Sequence, residues 1–148
     1  MSTHYQGNEK EKRALDTYIK LTRATESTNR RINDHLHSYD LTVSQFGVME
    51  AIYHLGPMPV GQLAHKILRS SANLTLVIDN LVKRGLAVRE RRDDDRRTVH
   101  ISLTERGREL IAELLPPHVA GVVAAFDVLS PQEQATLAAL CRKLGLGK

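Results

Sequence analysis

Only one cysteine, Cys141, stands among the 148 residues, which excludes an internal disulfide and the paired-thiol spacings of zinc sites. Long apolar runs are also missing. No stretch approaches the roughly 18 residues that a membrane span requires, and no apolar leader segment opens the chain, so a cytoplasmic protein is expected. There is no glycine-rich phosphate loop, no Gly-x-Ser-x-Gly turn and no metal-ligand spacing, and the commonest enzyme signatures go with them. Neither catalysis nor a bound cofactor or metal is expected. His35 and His37, near Asp34, are two residues apart and point in different directions from a helix, which makes them poor joint ligands. Repeats and low-complexity tracts are absent as well, so the length fits one domain, or a small module framed by extra helices.

What is present is a local excess of positive charge. The net +4 is not spread along the chain: residues 60–103 hold nine Lys/Arg against five Asp/Glu, while residues 1–59 balance at seven each and residues 104–148 at five each. A basic block between neutral flanks is the footprint of a surface that meets phosphate, although a solvated charged face would look the same by charge alone.

Periodicity places that block on helices and one strand pair. From about Glu9 to Tyr39 there is no proline or glycine, and Leu15, Tyr18, Ile19 and Thr22 recur at helical spacing, which predicts one long helix with little apolar surface of its own. Thr42 and Gln45 form a capping-box pattern, with Leu41 and Phe46 as a hydrophobic staple, so a second helix starts there and carries Val48, Ile52 and Leu55. Gly56-Pro57-Met58-Pro59 stops it. A short third helix turns Leu63, Ala64 and Ile67 inward. A fourth, capped by Ser70 or Ser71, aligns Leu74, Val77, Ile78, Leu81 and Val82, and Gly85 ends it in the left-handed region. Opposite that stripe the fourth helix is small or polar except for Leu76. Its close spacing to the third helix fits a helix-turn-helix.

After Gly85 the period becomes two. Val88, then Val99, Ile101 and Leu103, mark two half-buried strands joined through the charged run Arg91 to Arg97. Helix resumes near Glu105, where the doubled proline Pro116-Pro117 is expected to kink or interrupt it. A last helix follows the Ser130-Pro131-Gln132-Glu133 box and aligns Leu137, Leu140, Cys141 and Leu144. On that stripe Cys141 reads as a small buried hydrophobe rather than a redox sensor.

Asp95-Arg96-Arg97 and the Leu-Thr-x-x-Gly run from Leu103 to Gly107, following Asp79-Asn80-Leu81 and Lys83-Arg84-Gly85-Leu86, resemble the MarR family of bacterial regulators from about residue 10 to the end. The stretch Ser71 to Leu81 is most similar to a branch that includes quinone- and phenol-responsive repressors. The resemblance implies a mainly α fold with a small antiparallel β wing: a winged helix-turn-helix over 41–104, flanked by an N-terminal dimerisation helix (1–40) and C-terminal dimerisation helices (105–148). It further implies a homodimer on a pseudo-palindromic operator in double-stranded DNA, released by a small, often aromatic and anionic, effector.

On this reading the fourth helix enters the major groove and offers Ser70, Ser71, Asn73, Thr75 and Leu76 to base edges, where asparagine can pair with adenine and Leu76 can meet a thymine methyl. Arg91, Arg96 and Arg97 of the wing address the minor groove or phosphate, with Asp95 orienting an arginine. An effector pocket would draw on His35, Tyr39, Phe46, Met49 and Tyr53, most of which have core packing as their simpler role. Two other classes compete: a non-specific architectural DNA binder with the same module, and a helical adaptor with no DNA affinity. If the basic block meets phosphates, affinity for duplex DNA should fall steeply as salt is added, with a log–log slope near −0.9 per phosphate neutralised. A flat salt dependence in a fluorescence-anisotropy titration contradicts that reading.

Overall fold

Local caps decide where the helices begin. The computed structural model describes residues 3–67, 71–91 and 97–148, apart from the side chains of Ser71 and Ala72. Helix α1 (Glu9–Asn33) starts at Asn8, whose side chain accepts from the Glu11 amide at 2.9 Å while the Glu11 carboxylate accepts from the Asn8 amide at 2.8 Å. Glu9 and Glu11 in its first turn and Arg30 and Arg31 in its last match the helix dipole. Thr42 and Gln45 form the expected reciprocal box at the start of α2 (Val43–Leu55), at 3.1 and 2.9 Å. Both staple residues, Leu41 and Phe46, are buried. The chain continues through β1 (Met58–Pro59), α3 (Val60–Ile67), α4 (Ser71–Lys83), β2 (Ala87–Arg91), β3 (Val99–Leu103), α5 (Glu105–Phe126) and α6 (Pro131–Leu146).

Four sequence expectations need correction. The first helix does not run to Tyr39: α-helix stops at Asn33 and a 3₁₀ segment, Asp34–Tyr39, follows. Tighter winding is common at a helix end, and here it seats Leu36 in the core and closes on Asp40 at φ 55°. Second, the sheet has three strands in the order β1-β3-β2, because Met58 pairs with Ile101 and Pro59 with His100. A two-residue strand has no readable alternation, and proline is tolerated in it because β1 lies at a sheet edge.

The third correction concerns Pro116 and Pro117, which lie inside α5 without interrupting it. Each removes one intrahelical donor, and the residues whose carbonyls lose that partner, Ala112 and Glu113, are exposed to water. As one uninterrupted helix, α5 is long and apolar enough by composition alone to cross a membrane. The expectation from the sequence is that no such stretch exists. Ile111 and Leu114, fully buried in the core, account for part of that apolarity. Fourth, Cys141 is exposed rather than buried within the chain. Its helix, α6, contributes no buried residue, and the stripe from Leu137 to Leu144 is exposed.

The chain forms two compact units. One, His35–Pro117, contains α2, α3, α4, the sheet and the first part of α5, closed around Leu36, Val48, Met49, Leu63, Leu74, Ile78, Leu81, Leu86, Ile101, Ile111 and Leu114. The other takes the chain up to Asp34 together with His118–Lys148. In α6, Ser130 and Glu133 form a third reciprocal box at 2.9 and 3.2 Å. Hydrogen bonding from Ser130, backbone amide first and hydroxyl second, holds the Glu133 carboxyl below its usual range. A depressed folded-state value means that this cap is complete above the ordinary carboxylate range and is lost on acidification through the lowered one.

Gly107 makes a close backbone approach in the His35–Pro117 unit. A Cβ there would lie 2.1 Å from the Leu86 carbonyl oxygen. On helix propensity alone, Gly107→Ala should stabilise α5 by about 0.5–1 kcal/mol. The contact reverses the sign, and a loss of about 1–3 kcal/mol is expected in urea denaturation. An unchanged or raised midpoint contradicts that close approach.

Candidate nucleic-acid interface

Helix α4 is held by one face. Leu74, Ile78 and Leu81 are fully buried, with Val77 and Val82 packed beside them, and these fix its rotation about its own axis. Asn73, Thr75, Leu76, Asp79, Asn80 and Lys83 then fall on the outer side, all exposed. Leu76 retains 66% of its surface in solvent, on a helix that otherwise buries its leucines. Of the residues expected at base edges, Ser71 is the first of α4, and Asn73, Thr75 and Leu76 share the outer side of its N-terminal half. Ser70 lies outside the described residues.

The far end of α4 is fixed by a Schellman arrangement. The Leu86 amide donates to the Leu81 carbonyl at 2.9 Å and the Gly85 amide to the Val82 carbonyl at 3.0 Å, with Gly85 at φ 72°. The start of α5 closes over this cap. The Thr104 hydroxyl donates to the Gly85 carbonyl at 2.6 Å and accepts from the Gly107 amide at 3.0 Å, while the Thr104 amide donates to the Leu86 carbonyl at 3.1 Å. The Leu-Thr-x-x-Gly run therefore has a mechanical reason: its threonine caps one helix while bonding the end of another, and its glycine lets the two backbones meet.

From this junction β2 and β3 project as an antiparallel pair, registered from Ala87 opposite Leu103 to Arg91 opposite Val99. Arg91 ends β2 and Arg97 precedes β3, and both are exposed. Arg92, Asp95 and Arg96 lie outside the described residues. One ion pair, Arg89 with Asp79, ties β2 to the outer side of α4. Both side chains are substantially exposed, so the pair contributes about 0–1 kcal/mol to stability. Its larger consequence is that Asp79 offsets a positive charge that would otherwise stand free beside α4.

Sequence reasoning missed the roles of Arg84, Arg89 and Thr104. Arg84 donates to the carbonyls of Asp40 at 2.6 Å and Tyr39 at 3.3 Å, and its own carbonyl accepts from Arg106 at 3.4 Å. Each of these contacts joins residues distant in sequence, so no local spacing announces it.

The five residues considered for an effector pocket have unlike environments. Phe46 and Met49 are buried in the core, and His35 and Tyr39 are half-buried on the 3₁₀ segment. Tyr53 is 41% exposed and meets the His54 ring edge-on at 5.3 Å. Among the described residues no group of three or more His, Cys, Asp or Glu side chains is placed to hold a metal ion.

A helix-turn-helix with a three-stranded wing sheet, carrying polar residues and one exposed leucine on its outer helix, defines a winged-helix DNA-binding protein. The MarR family model matches residues 41–99. The chain is 34% identical to the HTH-type transcriptional regulator MhqR of Bacillus subtilis over 90% of its own length and 92% of that protein's. It belongs to the MarR family, a family of transcriptional regulators rather than enzymes. A shorter match, 40% identical over 51% of this chain and 43% of the other, is to the transcriptional repressor MprA of Escherichia coli. Among solved structures, AbsC of Streptomyces coelicolor has the same fold at a TM-score of 0.84, covering 98% of this chain and 97% of that one at 21% identity. BpsR of Bordetella bronchiseptica is similar at 26% identity and a TM-score of 0.78, over 87% of this chain and 98% of its own, and its DNA binding is regulated by 6-hydroxynicotinic acid.

Proposed function

We propose that this chain is a cytoplasmic homodimeric repressor that reads a pseudo-palindromic operator and leaves it when a small aromatic, anionic ligand binds. The observation that carries the reading is the outer face of α4, where Asn73, Thr75 and the exposed Leu76 stand on a helix whose inner face is locked into the core. An asparagine and an apolar side chain in that position suit adenine edges and thymine methyls. Ser70 and Ser71 extend the same surface by sequence. Arg91, Arg96 and Arg97 of the wing are proposed to supply charge for the minor groove or the phosphates, with Asp95 orienting one arginine. The proposed domains are the reading module over 41–104 and the dimerisation helices on either side of it, 1–40 and 105–148.

Dimerisation is supported by what the terminal helices leave uncovered. Neither α1 nor α6 contributes a buried residue, and Tyr18, Val123, Leu140 and Leu144 are all more than half exposed. Apolar helix faces of this kind call for a partner, and a second copy of the same chain is the commonest one. Two reading heads then require half-sites about one helical turn apart, near 34 Å. The ligand class follows the relation to BpsR, and His35, Tyr39, Phe46, Met49 and Tyr53 are its proposed neighbours.

The test is selection of bound duplexes from a random pool, followed by titration of the selected duplex and a random one at the same salt. A palindrome bound at least about 10³-fold more tightly is expected of a regulator, and equal binding assigns the protein to the architectural class. Arg97→Ala should weaken operator binding at least about tenfold, the loss of one good charged contact. Undiminished affinity removes the wing from the interface.

A further inference from the structure

We propose that Arg84 is a positioning residue for operator reading: by gripping the turn between the 3₁₀ segment and α2, it sets the direction in which α4 offers Asn73, Thr75 and Leu76. The inference rests on the DNA-reading role proposed for α4. A helix that reads base edges must be held to within about 0.5 Å and 10–20°. The Schellman cap, Thr104 and Arg106 tie the far end of α4 to chain that follows it. Arg84 ties the same end to chain that precedes α2, reaching back 44 residues in sequence to Asp40.

The chemistry of this grip suits arginine. Tyr39 and Asp40 present successive carbonyls at the close of a helical segment, where partial negative charge accumulates. A planar guanidinium reaches both through separate nitrogens, Nη1 to Asp40 and Nη2 to Tyr39, whereas a lysine ammonium is a single point donor. The turn itself needs holding. Asp40 is a non-glycine residue at φ 55°, and it is flanked by bonds from its own amide to His37 and from the Leu41 amide to Leu36, both at 3.2 Å. Arg84 is half-buried, while its neighbour Lys83 is exposed on the outer side of the helix. With Asp40, Gln45 and Asn80, the two line one open groove. The arginine is spent on protein carbonyls, and the lysine is the residue that faces outward.

Arg84→Gln, Arg84→Lys and Lys83→Gln are compared with the wild-type protein on the selected duplex and on a random duplex, each over a range of salt. Arg84→Gln should weaken binding to the selected duplex about tenfold, the scale of one or two lost charge-assisted bonds. Binding to the random duplex and the salt slope should be unchanged, and Arg84→Lys should recover part of the loss. Lys83→Gln should instead weaken both duplexes together and lower the salt slope by about one, as a phosphate contact does. The proposal is overturned if Arg84→Gln binds like wild type, or if its loss is shared equally by both duplexes. A shared loss with a shallower slope makes Arg84 a phosphate contact, and one with an unchanged slope makes it a stability residue. Failure of the wild-type protein to prefer any duplex is read separately, because it removes the DNA-reading role itself.

Discussion

The contact between Gly107 and the Leu86 carbonyl is where the three parts of the reading module are locked together. Leu86 follows the cap of α4 and begins the path into β2, and Gly107 sits in the first turn of α5. Because no side chain intervenes at Gly107, the Thr104 amide and hydroxyl reach the carbonyls of Leu86 and Gly85. The end of α4, the base of the wing and the start of α5 are thereby fixed as one body. Core packing then fixes the roll of α4 about its own axis, since Leu74, Ile78 and Leu81 are fully buried, and the contacts at its far end are left to hold its direction.

Burial is divided unevenly along the chain. The His35–Pro117 unit closes a core of fully buried leucines, isoleucines, valine and methionine. In the other unit Ala125 is the one apolar residue in the buried set among the described residues, while valines and leucines of α5 and α6 remain in solvent. On the proposed function, the module that is complete within one chain is the one that reads, and the helices that are incomplete within one chain are the ones that assemble. Cys141 shares the uncovered stripe of α6, so its exposure in a single chain and the apolar character of its neighbours have one explanation.

Features that depend on neighbours in sequence were legible, and those that depend on distant partners were not. The Thr42–Gln45 and Ser130–Glu133 boxes, the Gly85 cap and the apolar stripe of α4 follow from spacing and appear as expected. The wing strands follow from alternation, although β1 is too short to show any. Pro116 and Pro117 do not interrupt α5, because the cost of an interruption depends on whether the deprived carbonyls can reach water, a tertiary fact. The grip of Arg84 on Asp40 spans 44 residues, and that of Arg89 on Asp79 joins a strand to the preceding helix across ten, beyond any helical or strand period. For the candidate interface, the residue types on α4 were readable from the helical period. Which arginines face outward and which are committed to the protein was not, because both kinds occur in one basic run.

The central claim is that two copies of a self-contained reading head, joined through their terminal helices, bind one duplex. Sedimentation-velocity analysis of the protein alone and with a palindromic duplex tests it most directly. The account requires a dimer without DNA and two protomers per duplex with it. A protein that stays monomeric at micromolar concentration and loads singly onto the duplex contradicts it.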